Sequence, residues 1–148
     1  MSDTEFKNRP ITFAAKWAAH SAGCVIGSDR YKPDRSFKDE SGEVICVIES
    51  SSTNDRKVEV GELCLADKFF SGNKTDGVLI FSLCGKSDHP PRPDTQTKYL
   101  EPYFRHLKAG NRPHGVREMY FIAEDDFASS GWVALHRTFL EKAYVLKA

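Results

Sequence analysis

The chain has 148 residues, 40% of them apolar and 28% charged, with Lys plus Arg and Asp plus Glu balanced at 21 each. That length fits one domain with a core of its own, and the composition excludes a wholly disordered chain. No stretch approaches the ~20 apolar residues of a membrane span, and Met1–Glu5 lacks the basic-then-apolar pattern of a signal peptide, so a cytoplasmic protein is expected.

Residues 1–10 read as a polar N-terminal arm and 11–148 as a single domain. From Ile11 to Ala22 the alanine content and the spacing of Phe13 and Trp17 predict a first helix, ended by Gly23. Cys24-Val25-Ile26 predicts a short strand, and Tyr31–Asp39 a polar one. Glu40-Ser41-Gly42 has turn chemistry. The run Glu43–Ser51 is β-branched and apolar on both parities until Glu49, the pattern of a central strand covered on both faces.

Ser52-Thr53-Asn54-Asp55 supplies a cap for a helix to about Phe70, with Val58, Leu65, Ala66 and Phe69 as its apolar stripe. Gly77–Cys84 predicts a second buried strand. After a loop holding Pro90, Pro91 and Pro93, a helix is expected near Thr95–Ala109, broken so that Pro102 opens its main portion. Arg117–Glu124 reads as a strand, and Ser129 or Ser130 caps a last helix from Trp132 to Leu146. The order α-β-β-β-α-β-α-β-α predicts an α/β fold, a mixed sheet flanked by helices.

The cysteines (Cys24, Cys46, Cys64, Cys84) form no C-x-x-C pair and each lies in an apolar segment. They read as buried free thiols rather than zinc ligands or a disulfide framework. There is no G-x-S-x-G elbow to make a hydrolase of Ser129, Ser130 and His136, and no phosphate-binding glycine motif.

The informative constellation is Pro33-Asp34 and, fifteen residues on, Glu49-Ser50-Ser51. With a turn at Gly42, Asp34 and Glu49 fall nearly opposite each other on adjacent strands, ~5 Å apart. Two carboxylates that close repel unless a cation bridges them, and oxygen ligands of this kind suit Mg²⁺. Turn and strand-end residues would account for the same pair.

With its element order, this arrangement resembles the PD-(D/E)xK nuclease superfamily, whose restriction-endonuclease-like core runs α-β-β-β-α-β. The resemblance covers residues 11–84. It implies a Mg²⁺- or Mn²⁺-dependent DNA endonuclease, with Asp34, Glu49 and the Ser50 carbonyl as metal ligands and His20 as an extra ligand from the first helix. The motif lysine is replaced by Ser51, so Lys57 on the following helix, or Lys32 beside Asp34, would supply its charge, or nothing replaces it. One site per chain implies nicking, and a homodimer would cut both strands. The alternative is a catalytically inactive nuclease fold that binds DNA or a protein partner. Glu62 reads as a solvated helix residue.

Residues 86–117 carry an excess of four positive charges, balanced by the rest of the chain. Within them Tyr99, Tyr103 and Phe104 alternate with basic residues. Arg92, Lys98, Arg105 and Lys108 are the expected contacts to the phosphates of double-stranded DNA.

Overall fold

The computed structural model describes residues 1–85 and 89–148. A short helix α1 (Asp3–Asn8) leads to strands β1 (Thr12–Phe13), β2 (Ala18–Ala22), β3 (Arg35–Lys38) and β4 (Val44–Ser51). Helix α2 (Arg56–Gly72), strand β5 (Asp76–Leu83) and helix α3 (Pro93–Leu107) follow. The chain ends with β6 (Gly115–Ala123), α4 (Glu124–Ser129), β7 (Val133–Ala134), α5 (Arg137–Lys142) and β8 (Tyr144–Lys147).

Six strands form one mixed sheet in the order β2-β3-β4-β5-β6-β8. β2, β3 and β4 run antiparallel in sequence, β4, β5 and β6 are parallel, and β8 returns antiparallel on β6. The β3–β4 turn is tied by Asp39, whose Oδ1 accepts from Ser41 N, Ser41 Oγ and Glu43 N, while Gly42 takes the left-handed backbone at φ 86. The parallel pairs need long crossovers, which α2 and α3 provide.

Both faces of the sheet are covered, as the two-parity apolar pattern of β4 requires. Val47, Leu79, Phe81, Met119 and Phe121 pack under Leu63, Ala66 and Phe70 of α2 and Leu100 and Phe104 of α3. Phe37, Cys46, Ile48, Ile80, Tyr120 and Ile122 pack on the opposite side against Phe6, Phe127, Trp132 and Phe139. Among the described residues no helix is long and apolar enough to cross a membrane.

Several expectations give way. The polar arm is a helix: Ser2 Oγ caps Glu5 N, and Phe6 is 1% exposed. Arg35 Nη1 then binds the Phe6 and Arg9 carbonyls at 3.1 and 2.6 Å, fastening α1 to the sheet. The expected first helix over Ile11–Ala22 is instead β1 and the edge strand β2. Phe13 packs against Trp17 and edge-on to Phe37, so the aromatic spacing serves a sheet contact rather than a helix face. The Cys24–Ile26 strand reduces to a single bridge, Ile26 to Tyr31.

Helix α2 buries Glu59, Leu63, Ala66, Asp67 and Phe70, while Val58 and Leu65 are exposed, so the stripe lies off the predicted one. Helix α3 runs unbroken through Pro102, with Pro93 in its first turn. The last predicted helix is divided into β7, α5 and β8, with left-handed backbone at Trp132 and Leu135. All four cysteines are free, but only Cys46 and Cys84 are buried.

Candidate functional site

The hairpin joining β3 and β4 sets the register that matters. Arg35 pairs with Ile48, so the next residues out are Asp34 and Glu49. Each takes a main-chain hydrogen from the other's strand: Asp34 N donates to Glu49 Oε1 at 2.8 Å, and Ser50 N donates to Asp34 Oδ2 at 2.7 Å. One oxygen on each carboxylate is thereby fixed and the other is left for a further partner. Pro33, just before Asp34, has no N–H to offer this end of β4.

Val47, Glu49 and Ser51 lie on the sheet face covered by α2, and the first turns of that helix add two more carboxyl groups. Glu62 shares a hydrogen bond with Glu49. Glu59, wholly buried, accepts from Ser51 Oγ at 3.0 Å. Glu62 is therefore part of the site rather than a solvated helix residue. Tyr31 completes the group: its buried hydroxyl has no hydrogen-bond partner among the described residues, and the fields of Glu49, Glu62 and Asp34 all act on it.

Burial dominates the electrostatics. Loss of water raises the pKa of Asp34, offset in part by the Ser50 N–H and by the Lys7 ammonium. Glu49 and Glu62 are both raised, again first by burial, with Glu62 raised further by its hydrogen bond to Glu49 and by the nearby charges of Glu49 and Asp34. Glu59 is pushed up to about 7, with the Ser51 hydroxyl opposing. A pocket holding this much carboxylate favours a positive charge, whether proton or cation.

No family model, curated protein or solved structure matches this chain. The site therefore has to be judged on its own residues. Asp34, Glu49 and Ser50 are brought together as the sequence predicts. Ser51 is 4% exposed and turned inward to Glu59, away from any surface a phosphate could reach. Lys57 is exposed and lines a groove with Val60 and Tyr103 rather than approaching Glu49. Lys32 is exposed. His20 sits on the exposed edge strand, not on a helix, at the bulge between Ala19 and Ser21. Among the described residues, no three His, Cys, Asp or Glu side chains stand ready to hold a metal ion.

Sequence reasoning missed Lys7. Its side chain runs along Gly23, where an added Cβ would lie 3.0 Å from Lys7 Cε, and the Gly23 N–H is bonded to the Asp34 carbonyl at 3.0 Å. The only advance signal would have been an amphipathic turn at Phe6, hidden in a segment that reads as a polar arm.

The expected phosphate contacts separate. Arg92 pairs with Asp94 and Arg105 with Glu101, both on the surface, and Lys98 is exposed. Lys108 is a correction: it points inward, 8% exposed, and is held by Asp67. A buried, paired ammonium does not meet a phosphate. Lys86 and Asp88, part of the basic segment, lie outside the described residues.

The raised carboxyls carry a stability signature. An acid whose folded pKa exceeds its unfolded value stabilises the fold fully below the unfolded value, and that contribution is lost as pH rises through the folded one. For Glu59 the window runs from about 4.5 to about 7. Thermal unfolding is expected at higher temperature at pH 5 than at pH 8. Glu59→Gln should remove up to roughly 3 kcal/mol of that difference, while its amide oxygen still accepts from Ser51. Identical pH profiles for the two proteins would show that Glu59 ionises freely in the fold.

Proposed function

We propose that the chain is a divalent-cation-dependent nuclease with a restriction-endonuclease-like core, hydrolysing phosphodiester bonds at Asp34 and Glu49. The observation that carries this reading is the reciprocal pairing of the two carboxylates at the end of a buried strand. The order β2-β3-β4-α2-β5, antiparallel until a parallel crossover, supports it.

The donor set fits a hard cation. Asp34 and Glu49 each have one oxygen outside the main-chain bonds, that of Glu49 beside Glu62, the Ser50 carbonyl is on the Asp34 side of β4, and Tyr31 Oη is buried without a partner among the described residues. Magnesium takes one or two carboxylates together with waters and substrate phosphate. When bound, such an ion supplies acidity to water and neutralises phosphate charge. The protein's own residues orient the site: the Ser50 and Asp34 N–H groups hold the carboxylates, and Glu62 lies against Glu49. Lys7 is the cation beside Asp34, placed by the Arg35 bonds that fasten α1. Lys57 has no part in the chemistry on this reading, so Lys57→Ala should leave the chemical step unchanged.

Incubation of supercoiled plasmid with Mg²⁺, Mn²⁺ or EDTA tests the proposal. Nicked circles are expected with either metal and none in EDTA. Absence of metal-dependent cleavage of both the plasmid and a single-stranded DNA circle at any pH between 6 and 9 would remove the reading.

A second reading, an inactive nuclease fold kept for binding, is favoured by one observation. Ser51 occupies the motif lysine's place and its hydroxyl is engaged with Glu59 inside the protein. Ser51→Lys separates the two only when combined with Glu59→Gln, because the buried Glu59 carboxyl would otherwise neutralise a new ammonium. Activity appearing in the double variant of a silent parent would establish the second reading.

A further inference from the structure

We infer that the groove between α2 and α3 is a track for single-stranded nucleic acid, with bases stacking on Tyr99 and Tyr103 and phosphates meeting Arg56 and Lys57. This names the substrate class of the nuclease proposed above and rests on that reading. The groove measures ≈ 510 Å³ and is lined by Arg56, Lys57, Val60, Gly61 and Tyr103.

Tyr99 and Tyr103 are 42% and 43% exposed. Aromatic rings that open to water on a surface are available for contact, and every base has a π face to offer them. The two are four residues apart on one helix, so they share a face and stand roughly 6 Å apart along the axis. Stacked duplex bases rise ~3.4 Å per step. The tyrosine spacing therefore suits an extended strand whose bases are unstacked, not a duplex whose base faces are hidden.

The cations are as suggestive as the rings. The Arg56 guanidinium lies over the Tyr99 ring at 5.1 Å. Neither Arg56 nor Lys57 has an acidic partner among the described residues, whereas Arg92 and Arg105 are both neutralised by neighbours. The groove thus offers unpaired positive charge beside aromatic faces, the combination that binds single strands.

Gly61 adds an independent observation. A glycine inside a helix costs about 1 kcal/mol relative to alanine, and a Cβ built there would meet nothing within 4 Å. Packing does not require the missing side chain. Its absence leaves the groove wall low at this point. Lys57 and Gly61 line the groove, while Glu59 on the same helix faces the sheet.

The test is fluorescence anisotropy in EDTA with the full chain and a short labelled oligothymidylate, against its duplex with oligoadenylate. The single strand should bind more tightly than the duplex. Tyr99→Ala and Tyr103→Ala should each weaken binding about tenfold, with Tyr→Phe retaining it. Arg56→Ala with Lys57→Ala should lower the salt slope by about 1.4, the release from two phosphates of a single strand. Gly61→Leu should block binding while Gly61→Ala does not.

Tighter duplex binding, unchanged affinity in both tyrosine variants, or no binding at all would overturn the inference. Affinity lost only with the cations, and equally for oligothymidylate and heparin, would reduce the groove to a charged patch and overturn it too. The two proposals fail separately. Tyrosine-dependent binding by a chain that never nicks keeps the groove and removes the nuclease, and nicking with tyrosine-independent binding does the reverse.

Discussion

Asp34→Asn and Glu49→Gln should each reduce metal-dependent nicking to background, a loss of at least ~10²–10³-fold, the scale set by removing one preorganised electrostatic group. Each carboxamide keeps an oxygen to accept the main-chain N–H that the carboxylate accepts now, so the strand ends stay in place. What disappears is the charge. Because burial raises the pKa of both groups, each substitution also removes a charge that the fold holds at a cost. Thermal stability at pH 8 should therefore stay the same or rise. Calorimetric titration with Mn²⁺ should show binding to the parent and none to either variant. Parental nicking rates in either variant, with unfolding unaltered, would take that residue out of the mechanism.

How much of this was readable in advance depends on which force set each element. The strand at Val44–Ser51 was legible because β-branched residues on both parities have one comfortable setting, the middle of a covered sheet. The meeting of Asp34 and Glu49 followed from a tight turn, which fixes register over the few residues on either side. The first helix was misread because alanine-rich sequence has no strong strand signal, and β2 exists only by pairing with β3, a contact remote in sequence. The face of α2 was misread for a different reason. Glu59 and Asp67 are buried by partners at Ser51 and at Lys108 and Val116, and hydrophobicity cannot announce a polar residue that finds its partner elsewhere. Lys108 is the same error seen from the other end. The last helix was divided by left-handed backbone at Trp132 and Leu135, conformations that such residues adopt only when packing imposes them. That packing is visible in the rings of Phe127 and Phe139 and of Phe127 and Trp132.

Asp67→Ala should destabilise the fold by about 3–5 kcal/mol, the cost of removing one partner from a buried ion pair. Asp67 and Lys108 side chains are 4% and 8% exposed. Asp67 Oδ1 accepts from the Lys108 ammonium and from Val116 N, the latter at 2.9 Å, and so joins α2, the end of α3 and the start of β6. Gly115 permits that approach: at φ 81 it would place a Cβ 2.2 Å from the same oxygen. Without Asp67 the ammonium keeps, among the described residues, the His114 carbonyl at 3.3 Å, and the Val116 N–H loses its Asp67 acceptor. Domains of this kind are stable by roughly 5–15 kcal/mol, so the loss is a large fraction of the total. Asp67→Asn, which still accepts from Val116, should fall between. Lys108→Met in the Asp67→Ala background should recover much of the loss, because it removes the stranded charge, and apolar replacement of a whole buried pair is often neutral. Urea unfolding of these proteins together with the Lys108→Met single variant closes the cycle. An Asp67→Ala chain within about 0.5 kcal/mol of the parent would show that the pair does not hold these elements together, and a double variant no better than the single would place the loss in the Val116 bond instead.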